Sequence, residues 1–242
     1  MITKSLPNAF TLGNLFLGML AIIFAFDGKY SMSAIMVIVA MLLDGLDGRV
    51  ARALNAQSEF GKELDSLSDI ISFGVAPALL MYTIAFHSIH PGIAWAVTAI
   101  FPMCGALRLA RFNVQKGIPG YFIGLPIPAA GGVIATLSLF HKNITAPYFI
   151  CGILLVSYLM ISSVRYPNFK KIGFPKKGVA LAPLVVLFAV MVAVFFPEEL
   201  SKLIFIPLVL YAAYGLKQNI DRLLHRNKQA EEDEAEEAYD NR

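Results

Sequence analysis

Residues 44 to 69 read DGLDGRVARALNAQSEFGKELDSLSD, and this stretch decides how the rest of the chain is read. Four carboxylates, Asp44, Asp47, Asp65 and Asp69, stand on segments whose flanks have the composition of membrane-spanning helix. An Asp near the centre of a spanning helix costs roughly 2.5 to 3.5 kcal/mol on insertion scales. Four of them need a polar cavity, bound cations or both, and function is the default explanation for such residues.

The sequence around this stretch is that of a polytopic membrane protein. Of the 242 residues, 57% are hydrophobic and 15% charged, in long apolar runs broken by short polar connectors. A span needs about 20 apolar residues, and the runs predict an all-α bundle of about eight transmembrane helices. They fall near residues 9–26, 31–54, 62–86, 92–111, 126–141, 146–165, 178–196 and 199–217. The fifth run is the shortest. The first ends at Asp27 without an A-x-A type of cleavage pattern, so a retained helix is expected there and not a signal peptide. Residues 1–217 form one membrane-embedded domain in this reading, and 218–242 a charged cytoplasmic tail.

Orientation follows from Lys and Arg, because short basic connectors stay in the cytoplasm. With Met1 inside, 17 of the 20 fall on the cytoplasmic side, leaving only Lys29, Lys142 and Lys202 opposite. The acidic stretch then faces the cytoplasm, both termini return to that side, and the expected location is the inner cell membrane. The basic residues follow the connectors without forming a separate basic domain, so no nucleic-acid partner is expected. Cys104 and Cys151 lie in apolar runs without metal-ligand spacing and read as small core residues. His87, His90 and His141 fall in the opposite connectors, Trp95 reads as a headgroup-level anchor, and FKKIGFPKK (169–177) as a basic cytoplasmic loop. The tail pairs a basic segment after Lys217 with EEDEAEEAYDNR, which holds seven of the 17 acidic residues and is expected to be solvated.

Helical spacing gives the four acids a geometry. Positions three and four apart share a face, so Asp44 and Asp47 project together from the second span, and Asp65 and Asp69 from the third. The connector near 53–61 is short enough to make these helices antiparallel neighbours, so both carboxylate pairs are expected to converge. Such all-oxygen donors suit Mg²⁺ or Mn²⁺ better than zinc, and mutual repulsion favours a site for two divalent cations. Gly45, Gly48 and Ala51 strip bulk from the second helix, which admits a ligand or only allows close helix packing. Arg52, about 12 Å nearer the cytoplasm than Asp44 by helix rise, suits phosphate, or snorkels to the interface. Paired cations beside a phosphate-binding Arg suit phosphoryl transfer.

The stretch resembles the signature of the CDP-alcohol phosphatidyltransferases, D-G-x-D-G-x2-A-R-x8-G-x3-D-x3-D, met at Asp44, Gly45, Asp47, Gly48, Ala51, Arg52, Gly61, Asp65 and Asp69. PNAFTLGN (7–14) resembles the family's amino-terminal nucleotide-contacting segment, while GALRLARFN (105–113) and FIGLPIPAA (122–130) resemble its phosphatidylserine synthase branch. The resemblance covers about residues 5–130 well. It implies that Asp44, Asp47, Asp65 and Asp69 bind two metal ions, that Asp69 is also the general base, and that Gly48, Arg52 and Ser58 hold the CDP part of CDP-diacylglycerol. Asn8 and Thr11 are expected to help from the first helix, although they could simply cap it. It further implies a homodimer, L-serine as acceptor, and phosphatidylserine and CMP as products.

Arg108 and Arg111, three apart at the end of the fourth span, could hold the serine carboxylate, or an acceptor phosphate, or anchor the interface. Gly124, Pro126 and Pro128 suit a binding loop or a plain span boundary. Two other functions compete: a sibling transferase using glycerol 3-phosphate or an inositol phosphate, and a cation-coupled transporter. A transporter predicts acids at the midplane of inverted halves, whereas here they cluster in one half beside Arg52. Chelation is expected to eliminate turnover, and Mg²⁺ or Mn²⁺ to restore it; full activity in metal-free buffer would remove the two-cation reading.

Overall fold

A computed structural model describes residues 2–54, 56–86, 89–114, 121–140, 144–167, 207–214 and 217. The chain is mostly helical. Helix α1 (Ile2–Phe26) turns at Asp27–Lys29 into α2 (Tyr30–Ala53), and Gly28 takes the left-handed φ of 73° that closes the turn. A turn capped by Ser58 starts α3 (Glu59–Asp69), which runs through a π-helical segment (Ile70–Val75) into α4 (Ala76–Ala85). Then come α5 (Pro91–Val114), β1 (Tyr121–Ile123), α6 (Ile127–Ser138), α7 (Ala146–Ile161) and β2 (Arg165–Pro167). Residues 207–214 are helical.

Among the described residues, three helices are long and apolar enough to cross a membrane: Pro7–Phe26, the continuous Glu59–Ala85, and Pro91–Val114. Helix α2 spans 24 residues, close to the expected 31–54, and carries its charges in its second half. Helices α6 and α7 are apolar but shorter, 12 and 16 residues. The expected span at 178–196, the start of that at 199–217, the loop at 169–177, His87, His141 and the tail at 218–242 lie outside the described residues.

The all-α expectation needs one correction. β1 and β2 pair antiparallel, with Phe122 opposite Tyr166. The physical reason lies at residues 124–128. Gly124 adopts φ 77°, and a Cβ there would run into the Met160 carbonyl oxygen. Pro126 and Pro128 offer no N–H, so a helix cannot run back through them. The Gly124 and Leu125 N–H groups instead donate to Val164 and Leu159 carbonyls at 2.8 and 3.0 Å, which ties this segment to the end of α7. Tyr166 is fully buried, stacks near Tyr211 at 5.4 Å and donates to the Ala212 carbonyl at 3.4 Å, docking residues 207–214 on the hairpin. Burial and the neighbouring Tyr211 push its phenol up to about 12, so it remains a donor.

The core follows from small residues that let backbones approach. Lipid is as apolar as a leucine side chain, so helix association in a membrane relies on close packing and interhelical hydrogen bonds. Ser33 donates to the Ala21 carbonyl at 2.7 Å across the α1–α2 pair, beside fully buried Ala34. The π-helical segment is closely enclosed by its neighbours. A Cβ on Gly18 would sit 2.7 Å from Ser72 Cα, one on Gly131 would sit 2.5 Å from the Phe73 carbonyl oxygen, and Gly74 faces Pro102 of α5. Helices α1, α5 and α6 thereby clamp the chain just beyond Asp69. An apolar groove of about 430 Å³ opens between α4 and α5, lined by Tyr82, Trp95 and Pro102 among others. It contains no carboxylate, so it is not where phosphate chemistry occurs.

Gly18→Ala is expected to force α1 away from Ser72 and to destabilise the fold by about 1 to 3 kcal/mol, the usual cost of overpacking. Thermal unfolding of the detergent-solubilised protein measures this; an unchanged midpoint would mean that the α1 contact is slack.

Candidate active site

Asp44 and Asp47 lie one turn apart on α2, and Asp65 faces them from α3. One carboxylate oxygen from each of the three lies within 4.8 Å of the others. Asp47 is buried, while Asp44 and Asp65 are half-buried. Three hard oxygen donors so close fit a divalent ion of the Mg²⁺ type. Thr11, buried in the middle of α1, places its hydroxyl 3.2 Å from Asp47 Oδ2 and 3.1 Å from the Pro7 carbonyl.

Asp69 stands apart from that trio, one turn beyond Asp65 toward the far end of the helix. Its carboxylate is buried and lies within electrostatic reach of the other three acids and of Arg108. Asn14 Nδ2 donates to Asp69 Oδ1 at 3.5 Å. The backbone around Asp69 is stitched to α1 on both sides: Ser68 donates to the Thr11 carbonyl and Ser72 to the Asn14 carbonyl, each at 2.9 Å. The π-helical widening begins at the next residue, Ile70. Such widenings occur often at functional sites.

Arg108 and Arg111 part company despite their helical spacing. The Arg108 guanidinium is buried and held over the rings of Phe112 and Phe122 at 5.2 and 5.9 Å. Its electrostatic partners include Asp69 and Asp44, and its Nε has no hydrogen-bond partner among the described residues. Arg111 instead donates to the Ser162 carbonyl at 3.4 Å, bracing α5 against the end of α7.

At the other end of the acid cluster, α2 ends and α3 begins. Arg52 is exposed, with its guanidinium folded so that a Cβ on Gly48 would lie 3.6 Å from Nη1. Ser58 accepts from the Gly61 N–H at 3.0 Å as the N-cap of α3. A Cβ on Gly61 would sit 3.1 Å from Ser58 Oγ and 3.2 Å from Asn8 Oδ1, so these two side chains meet over the glycine. Asn8 and Thr11 lie inside α1, not at its start. A Cβ on Gly45 would enter open space. Asn14, Ser68, Ser72 and the two rings around Arg108 had no role assigned from sequence. The signal for Asn14 was present, since it lies three residues beyond Thr11, on the same helical face.

Comparison with known proteins agrees with this geometry. The model for the CDP-alcohol phosphatidyltransferase family matches residues 4–159, and the chain belongs to that family, whose members are in general dependent on divalent cations. It is 42% identical over 218 residues to a CDP-diacylglycerol–serine O-phosphatidyltransferase of Helicobacter pylori, covering 87% of this chain and 89% of the relative. A Bacillus subtilis protein of the same name is 40% identical over 167 residues, covering 69% and 92% respectively. An archaetidylserine synthase of Methanothermobacter thermautotrophicus is 40% identical over 173 residues, covering 70% and 72%.

The separation of Asp69 from the trio has a measurable consequence. Asp65→Asn is expected to weaken Mn²⁺ binding by about tenfold or more, as losing one of three converging carboxylates should. Asp69→Asn should change it much less while nearly abolishing turnover. Calorimetric titration with Mn²⁺ and a CMP-release assay check the two halves; an active Asp69→Asn enzyme would remove the base assignment.

Proposed function

We infer that this chain transfers the phosphatidyl group of CDP-diacylglycerol to L-serine, giving phosphatidylserine and CMP. The observation that carries the reading is the carboxylate trio with a buried Asp one turn beyond it, in a chain 42% identical to an enzyme named for this reaction.

In the mechanism we propose, Asp44, Asp47, Asp65 and Asp69 hold two divalent cations, Mg²⁺ or Mn²⁺. Bound there, these ions supply charge neutralisation at the diphosphate and at the departing oxygen. The residues of the chain do the rest. Arg52, exposed beside Gly48, and Ser58 with Asn8 over Gly61 take the CDP part at the open end of the site. Thr11 contributes by fixing the Asp47 carboxylate. A primary alcohol is a poor nucleophile at neutral pH, so Asp69 accepts the serine hydroxyl proton as the oxygen attacks the β-phosphorus. The new bond joins serine oxygen to phosphorus. The bond from that phosphorus to the bridging oxygen breaks, and CMP leaves with the electron pair. Cys104 is half-buried on α5 and Cys151 exposed on α7, and neither is needed as a covalent nucleophile.

Arg108 is the acceptor contact in this scheme. With Arg111 engaged by Ser162, one buried guanidinium faces the Asp69 region. One guanidinium matches a singly charged carboxylate better than a phosphate dianion, and the serine ammonium is drawn to the acids around it. The relatives named above, all named for serine, favour the same acceptor.

We further propose eight spans over 1–217, a charged tail over 218–242, and a homodimer, as the family resemblance implies. The acid cluster and both termini lie on the cytoplasmic side of the inner membrane, supported by the 17 of 20 basic residues assigned there. The lipid substrate then enters from the bilayer with its chains still in it.

An acceptor panel tests the function. The purified enzyme with CDP-diacylglycerol and Mg²⁺ or Mn²⁺ is expected to release CMP with L-serine and not with glycerol 3-phosphate or inositol phosphate. Release with a phosphorylated acceptor alone would keep the family chemistry and overturn serine.

A further inference from the structure

We propose that Asn14 is a positioning residue for the transfer reaction, holding the Asp69 carboxylate in the orientation in which it takes the acceptor's proton. The proposal rests on the reading of Asp69 as the base, and it adds a residue with no assigned role.

The first observation is the pattern of α1. Its buried positions from Pro7 onward are Pro7, Thr11, Asn14, Gly18, Ala21 and Ala25, a stripe at helical spacing. Four of these six are small or apolar, as a packing stripe requires. The two polar ones, Thr11 and Asn14, are those whose side chains meet acids, Thr11 on Asp47 and Asn14 on Asp69.

The second observation is what Asn14 gives up. The residue is fully buried; its amide nitrogen reaches Asp69 Oδ1, and its side-chain oxygen has no partner among the described residues. Turning the amide over would set its oxygen against a carboxylate oxygen, acceptor against acceptor, so the donor faces Asp69. A Leu of similar size would fill the space without orphaning an acceptor. Buried polar groups left half-satisfied cost stability, and natural proteins carry such costs chiefly at functional sites.

The third observation is rigidity. The Asn14 carbonyl accepts from Ser72, the Thr11 carbonyl accepts from Ser68, and Gly18 lets α1 touch the π-helical segment. The donor on Asn14 and the carboxylate on Asp69 therefore sit on backbones fixed to each other from both sides of Asp69. The 3.5 Å separation is long, as catalytic hydrogen bonds often are before substrate binds.

The test uses the full-length, detergent-purified enzyme with Asn14→Leu, Asn14→Asp and Asp69→Asn measured side by side. Asn14→Leu is expected to lower kcat about tenfold or more, leave KM for CDP-diacylglycerol and serine within about twofold, and leave the thermal midpoint unchanged or raised. A merely structural Asn14 would instead lose midpoint and activity together, and that result overturns the proposal. Asn14→Asp keeps size and polarity but offers Asp69 a repelling carboxylate, so it should lose at least as much kcat. Full activity in Asn14→Asp overturns the proposal, and this variant decides the matter if the Leu variant does not fold. An active Asp69→Asn enzyme would remove the base reading itself. An inactive Asp69→Asn beside fully active Asn14 variants would sink the Asn14 assignment alone.

Discussion

Holding several carboxylates together inside a helix bundle is the constraint on which the rest of this structure depends. Each buried carboxylate forfeits several kcal/mol of hydration, and like charges a few ångströms apart add repulsion. The chain meets that cost with donors from three directions. Thr11 and Asn14 reach in from α1, Arg108 stands behind from α5, and the open side of the trio fits a divalent ion. Remove α1 and the acids would still be on adjacent helices, but Asp47 and Asp69 would lose the side chains of Thr11 and Asn14 that orient them.

Small residues make those donors possible. A hydroxyl on Ser72 reaches the Asn14 carbonyl because Gly18 leaves room for it, and Gly131 and Gly74 give the same space to α6 and α5. The π-helical segment lies at the meeting point of these contacts, directly after Asp69. A regular α-helix through Ile70–Val75 would rotate everything beyond it by a different amount relative to Asp69. The segment thus lets one continuous element, Glu59–Ala85, serve two masters, presenting Asp65 and Asp69 at one end and packing in register with α5 and α6 at the other.

Much of this was legible in the sequence because it is periodic. Hydropathy marked the end of α1 and both ends of α2, of the continuous Glu59–Ala85 element, of α5, α6 and α7 to within a few residues, and i, i+3 and i, i+4 spacing put Asp44, Asp47 and Asp65 on facing sides of neighbouring helices. Non-periodic features were not legible. The π-helical segment IISFGV has the composition of any apolar span, and the contacts that surround it come from α1, α5 and α6, more than 50 residues from it in the case of Asn14. The β1–β2 pair was missed for the same reason, since three-residue strands 40 residues apart leave no pattern. Arg108 and Arg111 illustrate the limit most directly. Their spacing places both on one face, but aromatic rings hold the first inward while a carbonyl on α7 captures the second.

That divergence bears on how one scaffold could serve different acceptors. In the proposed scheme the open end, with Arg52, Ser58 and Asn8, meets the part of the substrate common to every CDP-activated lipid, and its residues are exposed or half-buried. In that scheme the acceptor alcohol comes to Asp69, which is buried together with Arg108. On the proposed scheme, a change of acceptor is expected to go with a change in the charge available around Arg108. Freeing a second guanidinium from Ser162 would favour a doubly charged phosphate; keeping it engaged favours a carboxylate. In the proposed scheme the chemistry is set by the acids that α1 orients, and the choice of alcohol by which arginine the hairpin end of α7 leaves available.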